Sequence, residues 1–160
     1  ELEGAGSGSG VGRRPAAHPA MTRIDFYQID TAEPTFLFTC QLIEKAWRQG
    51  HRIYIHVRSE SDQTEVDNLL WSFRPDRFIP HDLAGQTPDG PVHVGWGGDP
   101  GSHNDVLINL SGQVPEFFAR FTRVAEVVPL DDGQREQARA NYRFYRDRGY
   151  PLKYHSVGPS

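Results

Sequence analysis

Between residues 22 and 147 the chain switches repeatedly from a two-residue to a helical apolar period, and this switching restricts the fold more than any other feature. Residues 23–29 alternate as a first strand, closed by Asp30 and Pro34. Phe36, Leu37, Cys40, Leu42, Ile43, Ala46 and Trp47 then recur at near-helical spacing, with Gly50 placed as a C-terminal cap. Ile53, Ile55 and Val57 share one face of a second strand within 51–57. Ser59 and Ser61 offer N-cap oxygens to a helix running through Val66, Leu69, Leu70 and Trp71.

Residues 72–91 hold Pro75, Pro80, Gly85, Pro88 and Gly90 and read as a long ordered loop carrying Phe78, Ile79 and His81. Residues 92–96 and 105–110 read as strands separated by a glycine-rich turn over 97–101. Phe117, Phe118 and Phe121 suggest a short helix before a strand over 124–128. A last helix begins near Asp131 or Asp132, whose carboxylates suit a helix N-terminus, and ends before Gly149 and Pro151. Strands alternating with helices predict one α/β domain, a mainly parallel twisted sheet covered on both faces.

The 160 residues fit a single domain over 21–160. Residues 1–20 contain Gly4, Gly6, Gly8, Gly10 and Gly12 but almost no large apolar side chain, so they read as a flexible leader, linker or tag. They hold no apolar signal-peptide core, and Met21 stands where a strand begins. No apolar run approaches the ~20 residues that cross a bilayer. Cys40 is the only cysteine, which excludes an internal disulfide and a cysteine-rich zinc site and fits a cytoplasmic protein. A net charge of −4 argues against a phosphate backbone as the main partner, so any cationic site is local.

The usual chemistry of such a sheet finds little support. The turn after the first strand, residues 30–34, contains no glycine, so it lacks the backbone N–H cradle of a dinucleotide or P-loop turn. The glycine-rich turn at 97–101 joins two strands and has no P-loop lysine. His81, Asp82, His93 and His103 match no metal spacing and are expected as polar loop and surface residues. Cys40 sits in an apolar stripe as a buried thiol, Ser111 lacks a nucleophile-elbow context, and the acidic residues are expected as solvated carboxylates. No catalytic residue, cofactor or metal is therefore expected. A small nucleotide-binding enzyme and a direct nucleic-acid-binding module stay open as alternatives.

Two clusters stand out instead. In the last helix Arg135, Arg139, Tyr142 and Arg146 fall at steps of four, three and four, on one face, with Arg143 and Arg148 nearby. Against an acidic chain this is a local cationic surface, suited to carboxylates gripped by guanidinium groups, or simply a solvated face. Trp71, Phe73, Pro75, Phe78 and Pro80 crowd a helix end and the loop after it, as core or as interface.

From Met21 to about Val157 the chain resembles the chi subunit family of bacterial DNA polymerase III. The likeness rests on 24–30 (Ile-Asp-Phe-Tyr-Gln-Ile-Asp), Leu70-Trp71 followed by 78–85 (Phe-Ile-Pro-His-Asp-Leu-Ala-Gly), and Val127-Val128-Pro129 through Ala138-Arg139 and Tyr142-Arg143-Phe144-Tyr145. The resemblance implies a Rossmann-like fold without nucleotide hydrolysis and a non-catalytic clamp-loader adaptor, paired with a psi subunit. It also implies binding of the acidic C-terminal tail of single-stranded-DNA-binding protein, and hence an indirect association with DNA. By position, Val128, Arg135, Arg139 and Tyr142 correspond to the tail pocket, the arginines pairing with tail carboxylates while Val128 and Tyr142 enclose its terminal aromatic ring. Arg135 stands where the family pattern has lysine, which keeps the charge and changes the hydrogen-bond geometry. Trp71 and Phe78 fall where the family's psi-binding surface lies. Residues 150–160 depart most from the family, and nothing is carried over to them.

Overall fold

The computed structural model describes residues 21–31, 34–72, 82, 83 and 91–157. The expected leader over 1–20 and most of the proline-rich 73–90 segment, Phe78 and His81 included, lie outside the described residues. Seven strands form one sheet: β1 (Arg23–Ile29), β2 (Ile53–Val57), β3 (Asp82–Leu83), β4 (Val92–Trp96), β5 (Val106–Asn109), β6 (Arg123–Val128) and β7 (Leu152–Val157). Their order is β3-β4-β2-β5-β6-β1-β7. Every pairing is parallel, as the alternation of strands and helices predicts. Three helices cover the sheet: α1 (Thr35–Arg48), α2 (Glu60–Ser72) and α3 (Asp132–Asp147). The phenylalanine-rich segment before β6 makes only a 3₁₀ turn, Phe118–Arg120.

The period-two pattern divides the side chains between two cores. Ile53, Ile55 and Val57 join Val92, Val94, Val106, Ile108, Ala125 and Val127 under α1 and α2, which contribute Cys40, Ile43, Val66 and Leu70. The alternate positions Ile24, Phe26, Tyr54, Leu107, Val124 and Val128 pack against Tyr145 of α3 and against Phe118 and Phe121 of the 3₁₀ turn. Cys40 is fully buried, and burial pushes its thiol up to about 12, so it is an inert packing group.

The helix ends follow from local chemistry. Gly50 and Gly149 adopt φ of +89° and +81°, a region costly for other residues. The amides after them reach back five residues, His51 to the Ala46 carbonyl and Tyr150 to the Tyr145 carbonyl, which closes each helix. Ser59, rather than Ser61, caps α2 by accepting from the Asp62 amide at 3.1 Å, and Asp131 caps α3 by accepting from Gln134 at 2.8 Å.

Two expectations are corrected. His93 and His103 are 4% and 1% exposed, not on the surface, and their rings lie 4.7 Å apart above β4. Several carboxylates are buried rather than solvated, among them Glu126, Asp25 and Glu44. Strand β7 falls in the stretch to which the sequence assigns no element. It pairs with β1 at one edge of the sheet, Phe26 opposite Tyr154 and Gln28 opposite Ser156.

Candidate functional site

Helix α3 spans the side of the sheet that β6, β1 and β7 share, and its exposed flank forms one wall of a groove of about 310 Å³. Arg135, Arg139, Tyr142 and Arg146 all line it, so the helical spacing does gather them, and Arg143 and Ala138 join them. The opposite wall comes from Gln28 of β1 and Tyr154 of β7. Tyr154 lies in the stretch set aside at the level of sequence. No alternation of its own marks it: Leu152, Tyr154 and Ser156 share one face because the strand takes its register from β1.

The two tyrosines of the groove pack on a third ring. Phe26, almost fully buried, stacks on Tyr154 with centroids 6.1 Å apart and lies 5.4 Å from Tyr142. Tyr142 and Tyr154 meet edge to face at 6.2 Å. Tyr154 is half exposed and its hydroxyl donates to Gln28 Oε1. Gln28 Nε2 donates to Asp30 at 2.8 Å, and Arg135 donates to the same carboxylate at 2.7 Å and to the Ile29 carbonyl at 2.9 Å. A chain of polar contacts therefore joins β7, β1 and α3 along the rim. Hydrogen bonds from Gln28 and Arg135 hold the Asp30 carboxyl below its ordinary value.

The four guanidinium groups differ in availability. Arg135 is committed to Asp30, with its Nε shielded from solvent and without a partner among the described residues. Arg139 pairs with Glu136 at 2.8 Å and Arg146 with Asp147 at 3.1 Å, both in largely exposed geometry that exchanges readily with solvent. Arg143 is exposed and meets no carboxylate among the described residues. The groove thus offers replaceable cations beside two tyrosine rings, an arrangement that suits an acidic, aromatic-bearing ligand. Val128 does not line it. It is 4% exposed at the end of β6, in the core on which Tyr142 rests. Trp71 projects from the last turn of α2, 58% exposed, and its expected companion Phe78 lies outside the described residues.

Beneath α3 the sheet carries a buried polar network that sequence reasoning missed. Glu126 accepts from Tyr145 Oη at 2.6 Å and from Asn109 Nδ2 at 2.9 Å. Asn109 Oδ1 in turn accepts from Ser111 Oγ at 2.7 Å. Burial raises the Glu126 carboxyl to about 7 against the opposing effect of the Tyr145 and Asn109 bonds. Its signal was in the sequence: Glu126 stands midway between Val124 and Val128 on the inward face of a strand.

The carboxyl ends of the strands, where doubly wound sheets hold phosphates, have the wrong charge for that task. The crevice there is flanked by Asp99 and Glu116, and its Arg120 is already bonded to Asp99 at 3.0 Å and to the Gly101 carbonyl at 2.8 Å. After β1 a carboxylate, Asp30, stands in the turn where a nucleotide site needs backbone amides. No group of three metal-ligating side chains occurs among the described residues. No helix among them is long and apolar enough to cross a membrane.

Comparison with known proteins gives the chain's family. The family described as DNA polymerase III chi subunit, HolC, matches residues 21–153. The DNA polymerase III subunit chi of Pseudomonas aeruginosa is 48% identical over 139 residues, 86% of this chain and 98% of the relative. The corresponding subunit of Haemophilus influenzae is 35% identical over 122 residues, 74% of this chain and 85% of its own. That of Escherichia coli is 34% identical over 116 residues, 71% and 79% of the two chains.

Proposed function

This chain belongs to the DNA polymerase III chi subunit family, and from that premise we propose that it is a non-catalytic adaptor of the clamp-loader assembly, working in the cytoplasm. One surface binds a psi subunit and another holds the acidic C-terminal tail of single-stranded-DNA-binding protein, so the chain associates with DNA only through that partner. The α3 groove carries the reading: exchangeable arginines stand beside Tyr142 and Tyr154, whose rings meet edge to face. Arg139 and Arg143 take the tail carboxylates, Arg135 holds the rim in shape through Asp30, and the two tyrosines flank the tail's terminal ring. Val128 supports Tyr142 from below. Trp71, with Phe78, serves the psi surface.

A calorimetric titration of the full chain with an acidic peptide ending in Pro-Phe tests the site. Micromolar affinity is expected, weakening as salt rises. Arg139 must give up Glu136 to bind a ligand and is 61% exposed, so Arg139→Ala is expected to cost about 1 kcal/mol, roughly fivefold in affinity. Unchanged affinity in both Arg139→Ala and Tyr142→Ala would remove this groove from consideration.

A further inference from the structure

On the opposite face of the sheet from α3, a recess of about 170 Å³ opens between the C-terminal half of α1 and strands β1, β5 and β6. Tyr27, Leu42, Ala46 and Val106 give it apolar walls. An engineered apolar cavity of about 150 Å³ accommodates benzene, so the space fits one ring-sized group. Its polar border is unbalanced. Lys45 and Arg123 contribute cations to it; Arg123 already pairs with Asp25, and Lys45 meets no carboxylate among the described residues. The one carboxylate in the lining, Asp25, is 2% exposed and already satisfied by Arg123 at 3.1 Å, His155 at 3.1 Å and Arg23 at 3.5 Å. Burial alone would raise the Asp25 carboxyl, but the bonds from His155 and Arg123 outweigh it and hold the group ionised. His51, also at the border, is held by Asp105 at 3.1 Å.

We propose that this recess is a second binding site, for a small monocarboxylate bearing one ring-sized apolar group. The group enters between α1 and the sheet, and the carboxylate lies between Lys45 and Arg123. The site is distinct from the α3 groove: the two share no lining residue, and β1 turns opposite faces to them, Asp25 and Tyr27 to the recess and Gln28 to the groove.

Phenylacetate and its neutral counterpart phenylacetamide, titrated at constant ionic strength into the ¹⁵N-labelled full chain, provide the test. Saturable shifts are expected in amides of α1, β5 and β6 around Ala46, Val106 and Arg123, with phenylacetamide binding roughly fivefold more weakly. Ala46→Leu fills the recess and abolishes both responses, while Lys45→Gln keeps the fold and narrows the preference for the anion. Saturation confined to α3 residues, no saturable shift in the wild type, or an anion preference untouched by Lys45→Gln would each overturn the proposal.

Discussion

Replacing Glu126 by Gln imitates the protonated carboxyl in shape and removes its titration, so the variant isolates what ionisation costs the fold. Burial raises this carboxyl from 4.5 to about 7. At about 1.4 kcal/mol per tenfold change in proton affinity, that rise is worth about 3 kcal/mol. The sign follows from which state holds the proton. Below 4.5 both states are protonated and the wild type has its full stability. Between 4.5 and about 7 the unfolded chain has released the proton while the folded chain retains it, so stability falls as pH rises. Above about 7 the folded state carries an ionised buried carboxylate and the loss is complete. Urea unfolding of wild type and Glu126→Gln across this range, followed by tryptophan fluorescence, reads the difference directly, because the other titrating groups cancel. The difference between the variants is expected to move toward Glu126→Gln by about 3 kcal/mol from low to high pH. Parallel stability curves over the whole range would refute the assignment of a raised carboxyl to Glu126.

Asp25 predicts the opposite limb. Its folded-state value is depressed below 3.8, so its contribution is present above that pH and lost on acidification, and Asp25→Asn is expected to flatten acid unfolding measured by circular dichroism. Gly112 adopts φ +81° and an added Cβ would lie 2.8 Å from the Arg58 guanidinium, so Gly112→Ala is expected to destabilise by about 1 kcal/mol or more in thermal unfolding. Tyr154 is half exposed yet forms one wall of the α3 groove. Tyr154→Ala is therefore expected to weaken the acidic Pro-Phe peptide by about tenfold in a titration while lowering the melting temperature by only a few degrees.

The strands and helices that sequence reveals here are those with two independent signals. β2 has alternating β-branched residues, and the two helices flanking it have capping groups, Gly50 and Ser59, that the structure uses as expected. β7 lacks such signals because it is an edge strand: none of Leu152–Val157 is buried, and its register is imposed by β1 rather than by its own pattern. That is why Tyr154 was not legible while the arginines of α3 were, since helical spacing alone places Arg135, Arg139, Tyr142 and Arg146 on one flank. Sequence could not say that Arg135 is already engaged, because Asp30 is 105 positions away in the chain. Glu126, His93 and His103 were misjudged for a common reason. Residue type alone suggests exposure, although strand alternation places Glu126 and His93 on an inward face.

The most direct test of the adaptor account is sedimentation velocity of the full chain mixed with intact single-stranded-DNA-binding protein and with the same protein lacking its acidic C-terminal tail. The account predicts a faster-sedimenting complex with the intact partner, diminished by Arg139→Ala and by added salt, and none with the truncated one. Equal binding to both forms, or binding to neither, would contradict it.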